Sequence, residues 1–302
     1  AEPLVQLVNA TNEFVELLRP KEIIGRIPGF DRVPFNTQVP RETGDPTAYW
    51  VGQAQVKPLS RMAFDKISLT FAKVAGIVPM TEELMKFSNP SAEIRVRNGL
   101  IKAIAYLTDR DFLDPTKAEQ VGVSPASVTN GVTPITASGT TADALRADLG
   151  ALLEDYAEEN QDIDGLVLAM TPMQAVRISL MRNTLGGREF DGITRGGGEL
   201  EGIPVVTSTN IAATGGSPVD GYPIVAINAS DIYLAEEGVA IDLSREATLQ
   251  MESAPDSPVT GATNLVSLWQ QNMVAIKAER FITWKKKRDT SVKFIQNAKY
   301  TG

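Results

Sequence analysis

Residues able to do chemistry are scarce in this chain, and the two most versatile types are missing. Its 302 residues include no histidine and no cysteine. Without histidine, the commonest general base and the commonest metal ligand are gone. Serine and cysteine triads of the usual kind, common zinc hydrolase centres, disulfides and thiolate metal sites are therefore excluded. Carboxylates, amines, guanidinium groups and amides remain. "RGGGELEG", Arg195–Gly202, lacks the lysine and hydroxyl residue of a nucleotide-binding loop and reads as a flexible loop. The carboxylates of "LLEDYAEENQDID" lie mostly along a helix, without the alternating spacing of a calcium loop, so they read as a solvated face. Asp242, Arg245 and Glu246 read as surface pairs. The one basic run, Lys285-Lys286-Lys287-Arg288, reads as a solvated strand end, with a local phosphate or partner contact as the alternative. No metal site, cofactor or small-molecule pocket is expected.

Composition sets further bounds. At 43% hydrophobic and 22% charged residues the chain is globular. No uninterrupted apolar run reaches the ~18 residues of a membrane-spanning helix. The net charge of −8 makes the chain a poor reader of nucleic acid, so any DNA contact is expected to be non-specific. The start, "AEPLVQLVNATNEF", lacks the regions of a signal peptide. Because it begins with Ala1, residues removed by processing or trimming are expected before it.

Several elements must position whatever chemistry exists. Residues 1 to about 30 read as an arm, with Leu4, Leu7, Val8, Val15 and Leu18 at nearly helical spacing and Pro20, Pro28 and Pro34 interrupting regular structure. "WVGQAQVKPLSRMAFDKISLTFAKVAG", from Trp50 to Gly76, belongs to a long ribbon over 35–78. Its return arm alternates, with Ile67, Leu69 and Phe71 on one face and Lys66, Ser68 and Thr70 on the other, as in a strand with one buried side. A long helix follows, capped by Asn89, with Pro90 at its first position and a stripe of Ile94, Ile101, Ile104 and Ala105 beside Leu100 and Leu107. Ending near Phe112, it is about 35 Å long. A second helix starts near Thr141, its inner face marked by Leu145, Leu149, Leu152, Leu153 and Tyr156.

After Gly165 the texture becomes α/β. "GLVLAM" reads as a buried strand, and Thr171-Pro172 opens a helix with Met173, Val176 and Leu180 inward. Strands "PVVTS", "PIVAI", "DIYLA" and "VAIDL" follow. One long last strand, "NLVSLWQQNMVAIKAERFITWKK", places Val266, Leu268, Val274, Ile276, Ala278, Ile282 and Trp284 on one face. The class is α+β, without internal repeats.

The order of these parts resembles the major capsid proteins of tailed bacteriophages, with the Hong Kong 97-type fold, over nearly the whole chain. "ELEGIPVV" (199–206) is similar to that family's Leu-x-Gly-x-Pro-Val segment, and "NMVAIKAERF" (272–281) resembles its late strand. The resemblance implies an N-terminal arm over 1–34 and an extended loop over 35–78. It implies a peripheral domain with a spine helix over 79–164, an axial domain over 165–245, and a return strand with a C-terminal segment over 246–302. It implies self-assembly into hexamers and pentamers of an icosahedral shell around a phage genome, a location in the virion, and assembly in the bacterial cytoplasm. A scaffold or maturation protease, portal and decoration proteins are implied partners. The ribbon would then lie on a neighbouring subunit through Ile67, Leu69 and Phe71, since an isolated two-stranded hairpin is marginal in water. An encapsulin-type nanocompartment is the alternative within the fold; a soluble α+β enzyme using carboxylate chemistry is the alternative from another class.

The resemblance extends to three residues. The family's founding member joins a lysine before proline, at its loop tip, to an asparagine of another subunit, with a glutamate assisting. Lys57-Pro58, Asn272-Met273 and Glu279 match these. A neutral lysine amine would attack the Asn272 amide carbon, and Glu279 would accept the proton and return it to departing ammonia. Seven residues apart in one strand, Asn272 and Glu279 are about 23 Å apart and on opposite faces, so the glutamate must come from a third subunit unless the strand breaks. The ordinary alternatives are an exposed lysine at a turn, a polar strand-edge asparagine, and a glutamate paired with a base such as Arg280.

Overall fold

The computed structural model describes residues 22–44, 46–60, 63–87, 91–159, 161, 163–214 and 221–301. The expected arm helix over 4–18 and the Asn89-Pro90 cap lie outside these. In chain order the elements are α1 (Ile23–Arg26), β1 (Asp31–Arg32), β2 (Gln38–Gly44), β3 (Ala63–Ser68), β4 (Lys73–Thr81), α2 (Glu82–Phe87) and α3 (Ser91–Leu113). Then come β5 (Ile135–Thr136), α4 (Ala142–Glu158), β6 (Leu166–Met170), α5 (Pro172–Leu180), β7 (Ile193–Thr194), β8 (Gly197–Leu200), β9 (Ile203–Thr207) and β10 (Tyr222–Asn228). The last are β11 (Ile232–Ser244), β12 (Thr248–Leu249), β13 (Val266–Ser267), β14 (Met273–Lys286) and β15 (Val292–Ala298).

These residues form two compact units. One holds Glu22, Lys73–Thr108 and Glu237–Phe281; the other holds Ile23–Ala72, Asp109–Glu236 and Ile282–Gly302. α4 and β15 both pack within the larger unit.

The larger unit is built on a seven-stranded sheet in the order β5-β15-β10-β6-β9-β8-β7. β6 is buried at every position, as an interior strand must be. α4 begins where Thr141 accepts the Ala144 N–H, and it buries Leu145, Leu149, Leu152 and Tyr156 in the main core, with Leu153 half-buried. β15 is an element that the alternation of "VKFIQNA" offered and the sequence reading passed over. It pairs antiparallel with β10 and parallel with β5.

α5 is capped as expected, with a reciprocal box between Thr171 and Gln174 and Pro172 in its first turn. Its inner face, however, is Gln174, Ala175 and Ile178, while Met173 and Leu180 are exposed. Gln174 decides the rotation. Its Nε2 donates to the Tyr222 and Ala298 carbonyls, and a buried amide so engaged outweighs a three-residue apolar stripe.

"RGGGELEG" is no flexible loop. It makes β8 and the turns on either side, and two of its glycines, Gly197 and Gly198, are demanded by close backbone approach. Gly197 has φ +107°, and a Cβ there would stand 2.3 Å from the Val205 carbonyl oxygen. "DIYLA" and "VAIDL", expected as two strands, are one, β11.

A buried carboxylate ties this unit together. Asp109, at the end of the spine helix α3, accepts the Ile23 N–H at 2.8 Å, the Ser208 hydroxyl at 2.9 Å and the Asn210 amide at 3.0 Å. Burial is the largest influence on its carboxyl and raises its pKa above the ordinary range, with these donors pulling the other way.

In the smaller unit β4 pairs antiparallel with β14, from Met273 opposite Thr81 to Phe281 opposite Lys73. Leu100, Ile101, Ile104 and Ala105 of α3 pack with Val274, Ile276 and Ala278, as the periodicity predicts, whereas Ile94 and Leu107 are exposed. Arg280 occupies the buried face of β14 and pairs with Glu22 at 2.5 Å. The long last strand is broken, since β13 stops at Ser267 and β14 begins only at Met273.

Gly197→Ala is expected to cost about 3 kcal/mol or more of subunit stability, from backbone strain and the clash with Val205. Chemical denaturation of the soluble subunit measures it, and Gly196→Ala, whose Cβ would meet nothing within 4 Å, is the control.

Candidate functional site

The ribbon has a root and a tip that differ physically. At the root, β2 pairs antiparallel with β3, with Val39 opposite Ile67. Ile67 and Leu69 are buried, the latter to 1% exposure, against Tyr233, Ala235, Val33, Phe35 and Val39 of the same chain. This corrects the expectation that Ile67 and Leu69 need a neighbouring subunit: their own chain covers them. Phe71, expected on the same face, is 54% exposed: the alternation runs past the strand through Thr70 and then slips, with Ala72 buried instead.

Beyond the root, residues 46–60 carry no regular structure and are exposed at every position. The Thr47 N–H donates to the Ser60 hydroxyl at 2.7 Å and draws the ends of the tip together. The composition, "PTAYWVGQAQVKPLS", is that of a buried segment. Trp50 is 106% and Leu59 99% exposed, with Tyr49, Val51 and Val56 also open to water. Lys57 is the single charge among these fifteen residues, and it forms no ion pair among the described residues. The sequence reading missed these apolar residues, although the run from Pro46 to Ser60 without an acid was there to be counted.

Asn272 closes the turn that precedes β14. Its N–H donates to the Trp269 carbonyl at 3.4 Å, the Met273 N–H donates to Leu268 at 2.9 Å, and the Asn272 carbonyl accepts the Glu82 N–H at 2.7 Å. It has φ +50°, a left-handed conformation that asparagine tolerates better than most residues. The even positions from Val274 to Trp284 are buried, but Asn272 lies before the strand, so the alternation does not reach it and its side chain is exposed.

Glu279 lies six residues into β14 from Met273, about 20 Å along an extended chain. The break in the strand therefore leaves Glu279 remote from Asn272 of its own chain. Its carboxylate is 3.4 Å from the Lys73 ammonium and 3.6 Å from that of Lys277. The expected partner Arg280 points to the opposite face and pairs with Glu22 instead. Lys277 also meets Asp242 at 3.0 Å, and that hydrogen bond is the main cause of its raised pKa. Lys277 is thus held as an ammonium and is unsuited to attack.

The basic run is partly structural. Lys286 donates to the Asn130 carbonyl; Lys287 meets Asp31 at 2.8 Å and lies over the Tyr233 ring. No group of three or more carboxylates able to hold a metal occurs among the described residues.

Residues 24–297 match the phage capsid family. The chain belongs to that family. The capsid polyprotein of Pseudomonas phage PAJU2 is 44% identical over 289 residues, 94% of this chain. The major capsid protein of Klebsiella oxytoca phage phiKO2 is 24% identical over 248 residues, 80% of this chain. This family member spans only 43% and 57% of those two relatives. Its fold is that of solved phage capsid subunits of the Hong Kong 97 type. A structure from Mycobacterium phage Adephagia superposes with a TM-score of 0.68 at 19% identity, covering 89% of this chain and 87% of that one. The capsid of an empty GTA particle gives 0.60 at 13% identity, covering 89% and 88%. These matches favour a phage shell over the nanocompartment and enzyme readings.

The corrected root changes what substitutions there should do. Leu69→Asp is expected to destabilise the isolated subunit by several kcal/mol, because it buries an unpaired carboxylate in the chain's own core. Phe71→Asp is expected to cost clearly less, because more than half of that side chain already lies in water. Urea unfolding of the two unassembled variants separates these outcomes.

Proposed function

We propose that this chain is the shell subunit of a phage virion, assembling as hexamers and pentamers around packaged DNA, with the tip of its ribbon lying on a neighbouring subunit. The exposed tip carries this reading. Five large apolar residues laid open in a fifteen-residue segment leave unburied area that a second copy would cover. In the shell, 1–34 would serve as arm, 35–78 as extended loop, 79–164 as peripheral domain, 165–245 as axial domain and 246–302 as return strand and tail. A scaffold or maturation protease, a portal and decoration proteins are the partners such a shell uses, and the net charge of −8 limits DNA contact to non-specific encounters. Assembly would take place in the host cytoplasm.

The tip's single charge supports the covalent reading. Burying the tip means desolvating the Lys57 ammonium, which costs several kcal/mol unless it is paired or loses its charge. Joining it to Asn272 removes the charge permanently. Lys57 Nζ attacks the Asn272 amide carbon, the new C–N bond replaces the bond to the amide nitrogen, and ammonia leaves. Of the two protons that the Lys57 ammonium sheds, one passes through Glu279 of a third subunit to the leaving nitrogen and the other goes to solvent. Its present partners, Lys73 and Lys277, are exposed enough to yield at little cost. No cofactor is needed.

Boiled mature particles are expected to give ladders, or material too large to enter a denaturing gel. Lys57→Arg and Asn272→Asp should give monomer bands, since a guanidinium stays protonated and a carboxylate is a poor electrophile. Aspartate also tolerates the left-handed turn, so the second variant tests chemistry more than folding. Glu279→Gln should assemble and crosslink slowly or not at all. A single monomer band from wild-type particles that formed normally would leave the shell reading standing without the bond.

A further inference from the structure

The turn that presents Asn272 also presents an indole. Trp269 is 73% exposed, and its carbonyl accepts the Asn272 N–H, so the two residues stand at the corners of one turn closed by the Leu268–Met273 hydrogen bond. Nothing in its own turn calls for an aromatic: the buried anchor is Leu268, at 0% exposure, and Trp269 turns outward. An outward tryptophan on a backbone held by three main-chain hydrogen bonds is an ordered, water-excluding surface three residues from the amide.

The opposite requirement stands on the ribbon tip. Lys57, flanked by Val56 and Leu59, is a cation on an apolar strip with no acid between Pro46 and Ser60. An ammonium entering an interface needs a partner that accepts positive charge without demanding full solvation. The face of an indole is such a partner, the strongest of the aromatic side chains. An acidic partner would hold the amine as ammonium and block its attack. An indole holds it without a counter-charge that would keep the amine locked in an ion pair.

We propose that Trp269 is the receiving platform for the Lys57 tip of a second copy, stacking on the lysine stem and head and holding the amine beside Asn272. Trp269 is a positioning residue; the bond itself forms between Lys57 and Asn272. The proposal rests on the inter-subunit reading of the tip, but it concerns docking and does not require that a bond form.

Two measurements test it. In a Trp50→Phe background, Trp269 is the chain's exposed indole and Trp284 is buried, its Nε1–H bonded to the Ala126 carbonyl at 2.8 Å. Assembly should shift the Trp269 emission to shorter wavelength and protect it from acrylamide, and Lys57→Glu should remove much of that protection in shells that still form. In crosslinking time courses, Trp269→Ala should slow the bond about tenfold or more, while Trp269→Phe recovers most of the rate. Emission that does not change on assembly, or a Trp269→Ala rate equal to that of wild type, overturns the platform. A protected Trp269 in shells whose boiled subunits run as monomers supports the platform and rejects the bond.

Discussion

The constraint on which the rest depends is the tip of the ribbon, where apolar side chains and one amine lie exposed to water. A globular subunit could satisfy its tip by folding it back. This one holds it away, closing it at the base with the Thr47–Ser60 hydrogen bond and fixing its root with Ile67 and Leu69. The described apolar residues thus divide into those that complete a core and those left exposed on the tip. The covalent reading follows the same division, with the amine on the tip and the amide on a turn in the other compact unit.

Helices and single strands were legible where one physical signal dominated, whereas the order of strands in the sheets was not. Leu145, Leu149, Leu152 and Tyr156 mark α4 because an amphipathic helix buries one stripe and little else competes. The even face of β14 was legible for the same reason. α5 was rotated because periodicity weighs only apolar residues, and its orientation is set by a buried glutamine amide. The 195–202 stretch looked flexible because a sequence does not display the carbonyls that a Cβ at Gly197 or Gly198 would strike.

Of the candidate site, the sequence offers the residue types but not their surroundings. Lys57, Asn272 and Glu279 could be named from their flanking residues. Their surroundings could not: the left-handed turn at Asn272, Lys73 and Lys277 at Glu279, and Trp269 are all set by backbone geometry or cross-strand register. The assignment of Ile67 and Leu69 to a neighbour failed because alternation identifies a buried face without identifying what buries it. Tyr233 and Ala235, which cover it, lie more than 160 residues further along the chain.

A ribbon anchored at its root and attached elsewhere at its tip is, mechanically, a cantilever turned into a tie. The six-step β2–β3 ladder then bears any force that pulls the tip along the ribbon. Hydrogen bonds between antiparallel strands run across the strands, so such a pull loads many of them together in shear, where opening at the turn would break them one at a time. Internal pressure on such a lattice would be carried by ladders in parallel, and the first parts to yield would be the short contacts at the root.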